Sequence, residues 1–248
     1  MMSPPAELDA ALTAFARRRP LLVASDYDGV LAPLRDDPAA AGFEVGAADA
    51  LLRLSRVDGV TVALVSGRGV ADLQRTSGLS GTFRWVGSHG AEFDGPLTGE
   101  LAERRDRLAE QLAPLVARVA GAWLETKPAS VAVHVRPVPD RAAAALLLEE
   151  ARAAVDSSLT LKPGKDVLEI AVTDAHKGAA LRRLVDELGV VGSLYMGDDV
   201  TDEDGFRALT GSSDVTIKIG GGSTEAEHRV SDTVGAVALL NRLADLLG

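Results

Sequence analysis

Apolar residues along this chain gather in short runs, and each run stops abruptly at small or polar residues. Five stand out: "PLLVASD" (20–26), "VTVALVSG" (60–67), "RWVGSHG" (84–90), "GSLYMGDD" (192–199) and "DVTIKIGGG" (214–222). Such runs predict strands buried on both faces. Helical spacings lie between several of them. "AADALLRLSRV" (47–57) sets Leu51, Leu52 and Leu54 beside Ala47 and Ala48. "KGAALRRLVDELG" (177–189) forms a stripe of Ala180, Leu181, Leu184, Val185 and Leu188, with Gly189 as its stop. Strands alternating with helices predict an α/β fold: a Rossmann-like parallel sheet core with helices on both faces.

The middle of the chain breaks that rhythm. "TGELAERRDRLAEQLAPLVARVAG" (98–121) predicts a helix that Pro114 should kink or divide. Strand patterns "AWLET" and "SVAVHVR" follow, then a second helix, "PDRAAAALLLEEARAAV", then strand patterns "LTLK" and "DVLEIAV". Helix–strand–strand occurring twice predicts an inserted α+β domain over residues 97–170. The core is then 1–96 and 171–248, with hinges at "GPLTG" (95–99) and "TDAHKG" (173–178).

A length of 248 residues with 46% apolar content allows a core plus a smaller module. Acidic residues outnumber basic ones, 36 to 26, for a net charge of −10. That balance argues against nucleic acid as a partner, because the phosphate backbone would be repelled. The one dense basic run, "ARRRP" (16–20), reads as a solvated helix end. The absence of cysteine excludes disulfides and thiolate metal sites. At the N-terminus the arginines follow the apolar stretch, which Glu7 and Asp9 interrupt, so it reads as no secretory signal. No apolar run approaches the roughly 18 residues of a membrane span. The expectation is a cytoplasmic protein without a membrane or nucleic-acid partner. The sequence sets no oligomeric state, and a monomer is compatible with it.

The chemistry sits at the carboxyl ends of the predicted strands, where ligands of open α/β sheets collect. Asp26 and Asp28 stand two residues apart beyond the first run. At a strand end the two carboxylates can diverge, one attacking while the other handles a proton, which suits phosphoryl transfer. An EF-hand fails here, because the position that requires glycine holds Leu31 or Pro33, depending on which aspartate opens the loop. The acidic cluster "GDDVTDED" (197–204) brings Asp198 towards Asp26, where Mg²⁺ could bridge the carboxylates and a phosphate. Lysine is scarce, with five at 127, 162, 165, 177 and 218. Lys177 opens a helix, where its charge opposes the dipole; neutralising a nucleophile and a phosphate would explain that placement. Ser66 could donate to phosphate or simply cap a helix. "IGGGSTEAE" (219–227) lacks the ending of a phosphate-binding P-loop and reads as a turn leading into a helix.

Taken in order, "DYDG", "VSGR", Lys177 and "GDDVTDED" resemble the four motifs of the haloacid dehalogenase-like phosphatases. Val30 stands where those proteins commonly carry threonine. The resemblance implies Asp26 as nucleophile and Asp28 as general acid/base. It implies Mg²⁺ on Asp26, the Asp28 carbonyl and Asp198, with Asp199 and Asp202 supporting bound waters. Ser66 and Lys177 would hold the transferring phosphoryl group, with Gly67 and Arg68 completing the second motif on the substrate side. "GSHGAEF", "VAVHVR" and "KPGKDVLEI" extend the likeness to the trehalose-6-phosphate phosphatases over nearly the whole chain. In that family the inserted domain is a mixed cap that closes over a sugar phosphate.

Alternation along 131–136 puts Val131, Val133 and Val135 on one face and Ala132, His134 and Arg136 on the other. The resemblance favours His134, Arg136, Lys162, Lys165 and Glu169 as contacts to sugar hydroxyls, with His89 and Glu92 as weaker candidates. Another sugar phosphate (sucrose- or mannosylglycerate-type), phosphomutase chemistry and a silent sugar-phosphate sensor remain the alternatives.

Overall fold

The computed structural model describes residues 5–35 and 42–248. They form two compact units, one running to Gly95 and resuming at Ala175, the other Pro96–Asp174. The first unit carries a seven-stranded sheet. In chain order its elements are α1 (Ala6–Phe15), β1 (Leu21–Ser25), α2 (Ala47–Leu54), β2 (Val60–Val65), α3 (Val70–Ser77), β3 (Arg84–Gly87) and β4 (Glu92–Phe93). After the second unit come α6 (Lys177–Leu188), β9 (Gly192–Gly197), α7 (Glu203–Ala208), β10 (Val215–Ile219), β11 (His228–Val230) and α8 (Thr233–Leu247).

The strand order is β11-β10-β9-β1-β2-β3-β4, parallel except for the β3–β4 pair. Burial on both faces follows from the pleat. Leu21, Val23, Val62, Leu64, Leu194 and Met196 point into one apolar layer, shared with residues of α1, α2, α3 and α8. Their neighbours Leu22, Ala24, Ala63, Val65 and Tyr195 point into the other, against α6 and α7. Helices therefore cover both faces, as the continuous apolar runs predicted.

The site's location is a matter of connectivity. The chain leaves β1 for β2 on one side, and β9 returns on the other, so the direction of winding reverses at β1. Ser25 is level with Leu64 of β2 and Met196 of β9, so the three strands end side by side.

The second unit contains α4 (Gly99–Val116), β5 (Trp123–Lys127), β6 (Ser130–His134), α5 (Arg141–Ala154), β7 (Thr160–Gly164) and β8 (Val167–Ala171). Its strands pair antiparallel in the order β5-β6-β8-β7. Val131, Val133, Leu168 and Ile170 form one apolar face, which packs with Leu108, Leu112 and Leu147 of the two helices. Helix α5 starts at Asp140, whose carboxylate accepts from the N–H groups of Ala142 and Ala143.

Three sequence expectations need correction. Pro114 does not divide its helix: α4 is continuous through it and ends two residues later, at Val116, although the proline has no N–H to offer the carbonyl of Glu110. The β6 strand stops at His134, and Arg136 lies in the exposed turn beyond, so strand alternation does not extend to it. The glycine-rich segment after β10 leads first into the short strand β11 and only then into α8. No described helix is long and apolar enough to cross a membrane.

Asp140→Ala should remove the α5 cap and lower stability by about 1 kcal/mol, read as a reduced midpoint in urea with an unchanged slope.

Candidate active site

Asp26 follows β1 directly and is buried. Its Oδ1 accepts the Tyr27 N–H at 2.6 Å, and its Oδ2 accepts from Lys177 Nζ at 2.7 Å. Lys177 is the first residue of α6 and only 1% exposed; its second partner is Asp202 Oδ1, also at 2.7 Å. Burial alone would lower the lysine's pKa, but Asp26 and Asp202 overrule it, and the ammonium is held well above its ordinary value. Burial pushes the Asp26 carboxyl up to about 7 despite Lys177, with Asp202 adding repulsion. Asp198, just beyond β9, is pushed up to about 6 by burial and by the Asp202 charge.

Asp202 holds this corner together. It is fully buried, and its two oxygens accept from Lys177, the Tyr195 hydroxyl and the main-chain N–H groups of Asp198 and Asp199. A carboxylate offers about four acceptor sites, and all of Asp202's are engaged. Asp199 faces the other way, its side chain accepting from the Asp202 N–H to cap the turn at 200–202. Asp199 and Asp202, expected to support bound waters, are thus employed in building the loop.

Ligand-capable oxygens of Asp26, Asp198 and Asp202 lie within 4.8 Å of one another. With Asp202 saturated, Asp26 and Asp198 are the carboxylates left to face a cation. Burial first, and the Asp202 charge second, raise both carboxyls; a divalent ion would favour their charged forms, and an all-oxygen set suits a hard cation. Gly29 makes the room. It has φ +76°, and a Cβ there would lie 2.0 Å from Asp198 Oδ2. The donor set therefore fits the implied metal.

Ser66, beyond β2, is buried, and its Oγ accepts the Arg68 N–H at 3.1 Å. It does not cap α3, whose N-cap is Gly69. Among the described residues its own O–H has no acceptor, so it remains to donate. Asp28 is gripped by Arg68 through two hydrogen bonds, Nε to Oδ2 at 2.6 Å and Nη2 to Oδ1 at 2.8 Å. Arg68 also reaches Asp72 at 3.0 Å. The hydrogen bonds to Asp28 lead in raising the guanidinium's pKa above its usual range. Arg68, expected on the substrate side, is here the partner of the proposed proton carrier.

The turn after β3 supports this loop. The His89 N–H donates to the Ser66 carbonyl at 3.0 Å, and the His89 ring lies 2.7 Å from where a Cβ on Gly67 would sit. Glu92 Oε2 accepts from the Val70 N–H at the start of α3 (3.1 Å) and from Ser88 Oγ (2.8 Å). Glu92 thus binds a helix N-terminus, where negative charge is favourable.

The remaining candidates belong to the second unit. On the sheet face opposite its helices, Glu125, Ala132, Glu169 and Lys162 are in register. Glu169 accepts from Lys127 Nζ at 2.7 Å and Ser130 Oγ at 2.8 Å, which outweigh burial and lower its pKa. His134 meets Glu125 at 2.8 Å and stacks on Trp123, ring centroids 4.0 Å apart. Lys162 and Lys165 are exposed. Sequence reasoning missed Glu125, Lys127 and Trp123. The alternation of "WLETK" could have placed all three on one face.

The family model described as trehalose-phosphatase matches residues 24–234. The chain is 30% identical over 216 residues to a trehalose-6-phosphate phosphatase of Escherichia coli, covering 83% of this chain and 80% of that protein. It is also 30% identical over 247 residues to a trehalose-phosphate phosphatase of Mycobacterium avium, covering 90% of this chain and 61% of the relative. The crystal structure of an Aspergillus fumigatus trehalose-6-phosphate phosphatase superposes with a TM-score of 0.74 at 25% identity, covering 98% and 99% of the two chains.

Lys177→Met leaves two buried carboxylates without their cation. It should cost about 3–5 kcal/mol, measured by chemical denaturation of the metal-free protein.

Proposed function

This chain belongs to the trehalose-phosphatase family, and we propose that it hydrolyses trehalose 6-phosphate to trehalose and phosphate through an aspartyl phosphate on Asp26. The observation that carries the reading is the meeting of Asp26, Lys177 and Asp198 at adjoining strand ends, with Ser66 beyond the neighbouring strand.

In this reading Asp26 attacks phosphorus in line. The bond from phosphorus to the sugar oxygen breaks, and that oxygen takes a proton from Asp28. Asp28 next removes a proton from water as the water oxygen attacks the phosphorus of the acyl phosphate. The Asp26 carboxylate is released together with phosphate. Ser66 O–H and Lys177 Nζ donate to the phosphoryl oxygens. Mg²⁺ would be held by Asp26, Asp198 and the Asp28 carbonyl, and supplies charge neutralisation for the incoming phosphate. Arg68 now takes both Asp28 oxygens, so its grip must open before Asp28 can carry a proton to the sugar.

Residues 97–170 serve as the sugar-recognising cap. Their supporting feature is the sheet face bearing Glu125, Lys127, His134, Lys162 and Glu169, whose charged and ring groups suit sugar hydroxyls.

The test is phosphate release from a panel of sugar phosphates with and without Mg²⁺. The expected outcome is the highest kcat/KM for trehalose 6-phosphate and loss of turnover on chelation. Preference for a sucrose- or mannosylglycerate-type phosphate would replace the substrate but keep the reaction class. No release from any member of the panel would leave a silent sensor.

Two variants probe the steps. Asp26→Asn should abolish turnover with the circular dichroism spectrum unchanged. Asp28→Asn should lower turnover of sugar phosphates by about 10²–10⁴-fold. With p-nitrophenyl phosphate, whose leaving group needs no proton, the same variant should give a stoichiometric burst followed by slow release.

A further inference from the structure

Of the five lysines, the structure buries two. Lys177 is accounted for by its two carboxylates. Lys218 is not. It lies on β10, 4% exposed, in register with Gly197 of β9. Burying an ammonium is costly without close partners, and its ion pairing is loose: Glu203 Oε1 lies 3.6 Å away. Its short contact is to a main-chain oxygen, with Nζ donating to the Asp198 carbonyl at 2.6 Å. Glu203 is itself tied elsewhere, its Oε2 accepting the Glu225 N–H at 2.8 Å.

The backbone of Asp198 is therefore fixed from both ends. Asp202 Oδ2 takes its N–H at 2.9 Å, and Lys218 takes its carbonyl. Among the described residues no hydrogen bond reaches the Asp198 carboxylate, which occupies the space beside Gly29 and faces Asp26. Every polar group of the residue is pinned except the one that would bind a cation.

We infer that Lys218 is a positioning residue for the metal centre: it anchors the Asp198 carbonyl so that the adjacent carboxylate is presented to the ion. The inference rests on the proposed reading of Asp26 and Asp198 as a divalent-metal pair. It also has a distinctive sign. A buried ammonium beside an incoming cation repels it, so charge alone predicts that removing Lys218 tightens metal binding. Anchoring predicts the reverse.

The experiment is calorimetric titration of the metal-free 248-residue chain with Mn²⁺, comparing wild type, Lys218→Met, Lys218→Arg and Asp198→Asn. Lys218→Met should weaken binding by about 10–100-fold, the range seen when groups that orient a metal ligand are removed. Lys218→Arg keeps an N–H donor and should recover most of that loss. Asp198→Asn places the titrated ion at this site by losing it. If the Met variant does not fold, Lys218→Gln, neutral and too short to reach the carbonyl, carries the same expectation. A Met or Gln variant that binds Mn²⁺ as tightly as wild type, or more tightly, overturns the inference while the metal reading stands. A wild-type chain that binds no Mn²⁺ overturns both.

Discussion

One buried ammonium governs the architecture of this site. Lys177 bridges Asp26, at the end of β1, and Asp202, in the loop after β9. Taking three charges out of water is expensive, and buried ion pairs rarely repay their desolvation as stability. The arrangement is intelligible instead as preparation for an anion. With Lys177 in place the charge on Asp26 is partly offset, and the acidic loop is drawn towards β1 instead of being expelled by it. Asp202 completes the work by using every lone pair on neighbouring donors. Its place in the structure is that of a keystone, which leaves Asp26 and Asp198 as the carboxylates of the cluster with room for a cation.

The parallel sheet sets the conditions for this convergence. Because β1, β2 and β9 are adjacent and end level, residues 26 and 198 meet and residue 66 follows the neighbouring strand, although long stretches of chain separate them. The loops are then fastened crosswise, with Ser66 held by the His89 N–H and Glu92 seated on the start of α3. Such fastening holds the loops around these strand ends without a ligand's help, which is what the proposed chemistry by positioning would demand.

Much of this was legible in the chain itself. The apolar runs gave away the central strands because burial on both faces leaves no polar interruption. The acidic clusters were conspicuous because nothing else in an apolar strand end explains them. Other features carried no local signal. The grip of Arg68 on Asp28 joins residues forty positions apart and depends on a rotamer. Lys218 sits in "VTIKI" as an alternating strand residue would, and only the tertiary fold reveals that its outward face is covered. Strands β4 and β11, of two and three residues, are too short for any periodicity to register. Pro114 misled because the sequence shows the bond that a proline forfeits to the carbonyl four residues back, and not whether the helix runs on regardless.

A last consequence concerns the margin of the smaller sheet. Strand β7 is its border, and it contains Pro163, flanked by Lys162 and followed by Lys165. Proline withholds a main-chain donor, and the two cations charge the strip on either side of it. A foreign strand seeking to zip onto this border would find the ladder broken and the approach charged. The hairpin thereby doubles as a guard against self-association, protecting a module whose sheet is otherwise open to extension at that edge.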